Sequence, residues 1–110
     1  MPPSSPRWLD IVSHRLRAFR VPFLLVVQHH AIAGTTRLAA PVSPSLARDV
    51  DVLAPRLRVD GKEYRARILD ITAVPVTMLG ETVASATGDA DAILGAIDVI
   101  LRGYPVGIPR

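Results

Sequence analysis

Apolar and polar residues alternate in short runs along most of this chain and change to a helical spacing only near its end. Leu9–His14 (Leu-Asp-Ile-Val-Ser-His) alternates weakly and predicts a first strand. Phe19–Gln28 predicts a second, and its Phe-Leu-Leu-Val-Val core is apolar at every position, the pattern of a central strand covered on both faces. His29–Thr36, with Gly34, reads as a loop, and Arg37–Val42 as a third short strand closed by Pro41. Ser43-Pro44-Ser45 has the form of a helix start, Ser43 as cap and Pro44 in the first turn, which predicts a helix of a turn or two through Leu46–Val50.

The sharpest local signal lies in Arg56–Leu69. Leu57 and Val59 alternate with Arg56, Arg58 and Asp60, and after Gly61 the residues Tyr64, Ala66 and Ile68 alternate with Arg65 and Arg67. Asp-Gly between two alternating runs predicts a type I′ hairpin, because both central residues of that turn need positive φ. One face of the hairpin is expected to be arginine-rich and solvated. Val74–Leu79 is a further strand that Pro75 marks as an edge or a strand start, and Gly80 is read as its end.

Asp89–Arg102 is the one long helix. Ile93, Leu94, Ile97, Ile100 and Leu101 fall on a single stripe. Asp89 and Asp91 suit the dipole-positive end, Arg102 suits the other, and Gly103 is a natural stop with Pro105 close behind. Several short strands and one terminal helix make a β-rich α+β fold, a small barrel-like sheet packed by that helix. The domain spans residues 8–104. A proline- and serine-rich leader (1–7) precedes it, and an extended tail (105–110) follows.

A chain of 110 residues is one domain with one modest core. Its apolar share of 49% and mean hydropathy of +0.30 exceed what so small a domain can hide alone, so a homodimer is expected. The net charge of +3 comes from scattered arginines; only Arg15, Arg17 and Arg20 approach a cluster, which argues against direct nucleic-acid binding. Without cysteine, disulfides, thiolate metal sites and thiol nucleophiles are excluded together. Phe23–Val27 followed by Ala31-Ile32-Ala33 mimics a signal-peptide cleavage site, but the apolar run is too short to span a bilayer and Gln28-His29-His30 interrupts it. The run is read as a buried strand of a cytoplasmic protein with no membrane association.

No chemistry suggests itself. His29 and His30 are adjacent, and in extended backbone they would point to opposite faces, a poor arrangement for one metal. His14 is the only other histidine. Glu81 follows Gly80 and reads as a turn residue, and the aspartates at the helix start are explained by its dipole. No phosphate loop, nucleophile elbow or nucleophile–base pair is present. Catalytic residues, a cofactor and a metal are therefore not expected.

The stretch Ile71-Thr-Ala-Val-Pro-Val-Thr-Met-Leu-Gly-Glu-Thr-Val-Ala, followed by Asp91-Ala-Ile-Leu-Gly-Ala-Ile-Asp-Val-Ile-Leu-Arg-Gly, closely resembles the end of the CcdB toxins. Phe23–Gln28 is similar to that family's second strand, Arg37–Val42 to its Arg-x-x-Ile-Pro-Leu strand, and the Asp60-Gly61 hairpin falls where the family has a small wing sheet. The resemblance covers Leu9 to Gly103 in unbroken element order. It implies an SH3-like barrel with an inserted wing sheet, a C-terminal helix and a two-fold dimer. It further implies the toxin of a type II toxin–antitoxin module, a topoisomerase poison that binds the A subunit of DNA gyrase, traps it with the DNA cut, and is released by a CcdA-like antitoxin.

Carried over by position, the resemblance places the gyrase-binding surface on Asp98, Leu101, Arg102, Gly103 and Tyr104 at the helix end, with Ala31 and Ile32 after the second strand. The family's Trp-Gly-Ile tip stands here as Arg102-Gly103-Tyr104, its helix Asn as Asp98, and its paired isoleucines as Ala31 and Ile32. Two alternatives share the fold. One is a diverged relative that keeps antitoxin binding without poisoning gyrase. The other is a MazF-like ribonuclease toxin, for which Arg15, Arg17 and His14 would have to supply the catalytic groups.

Overall fold

The computed structural model describes residues 6–14, 21–32 and 34–103. Arg15, Arg17, Tyr104, most of the leader and the whole tail lie outside them, as does the start of the second predicted strand. Among the described residues, seven strands and one α-helix follow in order: β1 (Asp10–His14), β2 (Phe23–Val26), β3 (Thr36–Pro44), β4 (Arg56–Val59), β5 (Lys62–Ala66), β6 (Thr72–Pro75), β7 (Leu79–Ser85) and α1 (Ala90–Arg102). Every pairing is antiparallel, and the sheet runs β4-β5-β3-β2-β1-β7, with β6 also on β3. The sheet curls into a half-barrel with the helix at the C-terminal end, the β-rich α+β, SH3-like architecture expected.

Strand β2 is central, between β1 and β3, and its apolar residues divide between two clusters. Leu25, with Phe23 and Val27 beside it, joins Leu9, Ile11, Ala40, Val42, Leu57, Val59, Ile68, Ile93 and Ala96 on the helix side. Leu24 and Val26 join Val12, Ala39, Val74 and Leu79 on the other. Period-two alternation therefore sends neighbouring apolar residues to opposite cores, which explains a strand with no polar face.

Strand β3 is long because two partners share one of its edges. Val42 faces Ala66 of β5, and Ala39 faces Thr72 of β6. Four residues of β3 (39 to 42) are thus spanned by seven of the partner segment (66 to 72). The surplus is taken up by a single 3-10 turn at Ile68–Asp70, which drops Ile68 into the main core. The wing hairpin β4–β5 closes as predicted: Asp60 and Gly61 have φ of 52° and 76°. Phe23 meets Tyr64 edge-to-face at 5.3 Å, tying the wing to the barrel.

Several expectations are corrected. Ser43-Pro44-Ser45 starts no helix; Pro44 ends β3, and residues 45–55 are turns and irregular loop. Asp49 is the reason. Its carboxylate accepts the Leu46 N–H at 2.6 Å and pairs with Arg67, so the polar residues fold the chain back on the hairpin instead of propagating a helix. The hairpin's arginine face is consequently not all solvated. Arg65 is 6% exposed, donating to Asp51, Ser45 Oγ and Ala54 O, while Arg67 donates to Asp49, Ser43 Oγ and Pro44 O.

The run Val74–Leu79 is not one strand either. Pro75 ends edge strand β6, a 3-10 turn covers Val76–Met78, and β7 begins at Leu79. Gly80 lies inside β7 and does not end a strand, so Glu81 is a strand residue. At Gly80 a Cβ would sit 2.0 Å from Ser13 Oγ and 2.7 Å from its carbonyl oxygen, so only glycine permits this β1–β7 approach. Ser13 Oγ uses the proximity to accept the Glu81 N–H at 3.1 Å. The register slips on either side of Val12, a bulged stretch that bends the sheet.

Candidate protein-binding site at the end of the helix

Helix α1 forms where the sequence predicts it and stops for the predicted reason. Gly103 takes the left-handed conformation (φ 85°) and donates its N–H to Val99 O at 2.6 Å. A Cβ there would meet nothing within 4 Å.

The apolar stripe is not buried as a unit. Ile93 and Ala96 are fully inside, with Ile97 and Ile100 packed partly against the same core. Leu94 and Leu101 are 48% and 77% exposed. They are seven residues apart, with Asp98 between them, and so make an exposed ridge running to the tip. Arg102 Nε donates to Asp98 Oδ1 at 2.6 Å, and that carboxylate lifts the guanidinium's already high pKa. The second carboxylate oxygen of Asp98 is buried without a partner. Beside the helix, Ala92, Gly95, Ala96 and Val99 face Asp51 and Val52 across an open apolar groove of about 240 Å³. Leu94, Asp98, Leu101, Arg102 and Gly103 thus share one helix end. Tyr104 lies outside the described residues.

The other two positions, Ala31 and Ile32, are on the loop after β2. Both are exposed, Ile32 at 61%. Gln28 holds this loop: its Nε2 donates to Ile32 O at 2.8 Å and its Oε1 accepts the Leu38 N–H at 3.1 Å. No hydrogen bond among the described residues joins the loop to α1. Gln28 was legible only as the end of a strand; its bracing role depends on Leu38 lying ten residues away.

The histidines behave differently from an extended pair. They sit in a turn with their rings stacked at 4.1 Å, and Trp8 lies 6.1 Å from His29. His29 Nδ1 accepts the Ala31 N–H and His30 Nδ1 the Trp8 N–H, while His30 Nε2 lies 2.9 Å from Arg7 Nη2. Loss of hydration and the Arg7 charge push His30 below its usual 6.5. Among the described residues, no three His, Cys, Asp or Glu side chains converge to hold a metal. No helix among them is long and apolar enough to cross a membrane.

A curled antiparallel sheet with a wing hairpin, a terminal helix and an exposed ridge at its tip describes a scaffold built to present a surface. The sequence matches the CcdB protein family over residues 12–103, and the chain belongs to that family. The family's members are toxins of toxin–antitoxin modules. A search of curated proteins returned no match.

Proposed function

We propose that this chain is the toxin of a type II toxin–antitoxin pair, and that it binds the A subunit of DNA gyrase and traps the complex with its DNA cut. The observation that carries the reading is the exposed end of α1, where Leu101, Arg102 and Gly103 are open to a partner. The working surface comprises Asp98, Leu101, Arg102, Gly103 and Tyr104, with Ala31 and Ile32 as a second patch. The chain performs no reaction itself. It acts in the cytoplasm as a homodimer, and the exposed Leu94, Val50 and Val52 supply apolar surface for a second copy or for a CcdA-like antitoxin.

One feature supports a second reading. Where the family has tryptophan and asparagine, this chain has Arg102 and Asp98, bonded to each other. An aromatic anchor at a protein interface is a typical hot spot, and its stacking on arginine contributes about 1–2 kcal/mol when desolvated. The Arg102–Asp98 pair offers a polar surface in its place, which suits a diverged relative that keeps antitoxin binding but not gyrase poisoning. Expression in gyrase-sensitive cells, with cleavage of DNA by purified gyrase and of RNA assayed in parallel, separates the readings. Gyrase-dependent breaks support the first. RNA cleavage would point to a ribonuclease, and neither activity to the diverged relative.

A further inference from the structure

Three donors and two histidine rings meet where the N-terminal corner touches the loop after β2. His30 Nδ1 accepts the Trp8 N–H at 3.1 Å, and its Nε2 lies 2.9 Å from Arg7 Nη2. Both partners are donors only, since neither a guanidinium nor a backbone N–H has a lone pair to offer. A neutral imidazole has one nitrogen free to accept, so it answers one of them at a time. An imidazolium has none. Whichever nitrogen takes the second proton, the ring then faces two donors with no acceptor left.

His29 repeats the pattern. Its Nδ1 accepts the Ala31 N–H at 3.0 Å, and its ring is stacked on His30 at 4.1 Å. A charge on either ring therefore meets the other, with the Arg7 guanidinium alongside. Loss of hydration first, then the Arg7 charge and His29, hold the His30 ring below its ordinary 6.5. Asp10 opposes them, but its Oδ2 already accepts the Arg7 N–H at 2.8 Å and the Thr82 hydroxyl at 3.2 Å.

Loop and corner are not equally anchored. Leu9 is fully buried at φ 61°, in the left-handed region that is costly for a residue with a Cβ. Two backbone bonds hold it there: its N–H donates to Val26 O at 2.7 Å, and its carbonyl accepts the Ala86 N–H at 2.8 Å. The Trp8 N–H is thus aimed by a fixed corner, which the loop reaches through histidine side chains. When the rings let go, the loop moves and the corner stays.

We infer that His29 and His30 form an acid-operated latch: neutral rings fasten the loop after β2 to the Trp8 corner, and protonation unfastens it. The loop carries Ala31 and Ile32, so the latch governs how that patch is presented, whatever the patch binds. The direction follows from a ring held below its ordinary value. The latch is closed above 6.5 and opens as pH falls through the lower value of the folded ring.

NMR of the isotope-labelled full-length protein between about pH 8 and about pH 5 tests this. The backbone order parameters of Ala31 and Ile32 are expected to drop from about 0.85 to below about 0.6, in step with titration of the His30 ring. Leu25, in the central strand, should not change. His30→Asn, whose side chain does not titrate in this range, should show no step. His30→Ala should leave the loop loose already at neutral pH. A loop that stays rigid while the ring titrates would overturn the latch, as would a step that persists in His30→Asn. A rigid loop in His30→Ala, or a simultaneous loss of order at Leu25, would overturn it equally.

Discussion

The wing and the helix end carry similar side chains to opposite effect. On the wing, Arg65 and Arg67 are covered by residues 45–54 and matched by Asp49 and Asp51; both charges are answered within the chain, and the outcome is a fixed loop. At the end of α1, Arg102 has a single surface partner four residues back, and Leu101 beside it has almost no cover. Arginine by itself therefore says nothing about function. A charge that the fold neutralises is structure, and an exposed side chain whose removal the fold would not notice is available for binding.

The comparison can be broken in several ways, the largest effect coming first. Arg65→Met removes three hydrogen bonds of a covered guanidinium, to Asp51, Ser45 Oγ and Ala54 O, and should cost about 3–5 kcal/mol in urea unfolding, since a hydrogen bond to a charged group contributes about 1.5–3 kcal/mol. A loss near zero would show the wing lattice to be ornamental. Within α1 itself, Ile93→Ala should cost about 2–5 kcal/mol by opening a cavity, whereas Leu101→Ala should leave the midpoint almost unmoved. Equal losses would mean that Leu101 is covered in the working protein.

Gly103→Glu places an L side chain at φ 85° with free space around it, for a cost of about 1–2 kcal/mol. It should abolish toxicity while the purified variant still folds and dimerises; full toxicity would remove the helix tip from the working surface. Arg102→Ala should change stability by less than about 1 kcal/mol, because the Arg102 side chain is half exposed. Its informative readout is gyrase cleavage.

Acid gives the subtlest test. The Arg67 and Leu46 bonds hold the Asp49 carboxyl below its ordinary 3.8, and Arg65 and Arg56 do the same for Asp51. A carboxyl held low in the folded state contributes stability that is present above 3.8 and is lost as pH falls through its lower folded value. The wild type and Asp49→Asn should therefore differ in stability at neutral pH and converge below 3.8. A gap that persists at low pH would show that the loop is held by packing.

Most of the fold was legible because its signals are local. The Asp60-Gly61 turn needs only two residues with positive φ, and α1 needs only its stripe and Gly103. The errors share a cause: each concerns a residue whose partner is far away in sequence. Ser43-Pro44-Ser45 has the residues of a helix cap, yet Asp49 finds Arg67, eighteen positions on. Gly80 looks like a strand end until β1 brings Ser13 against it. His29 and His30 would diverge in a strand, but the turn built by Gln28 and Leu38 stacks them. The helix-tip residues were found by position in a family pattern; nothing in their spacing announced that Leu94 and Leu101 would be left exposed.

The sequence alone determined the central strand, the Asp60-Gly61 hairpin and the terminal helix, and it sufficed for family membership, because periodicity and turn chemistry act over a few residues. Only the tertiary structure decided which arginines are neutralised and which half of the helical stripe is buried. It also decided that Arg37 lies under cover, its Nη1 held by the Gly34 and Thr36 carbonyls. Burial and charge pairing depend on segments that the chain brings together from a distance, and no local pattern records which ones will meet.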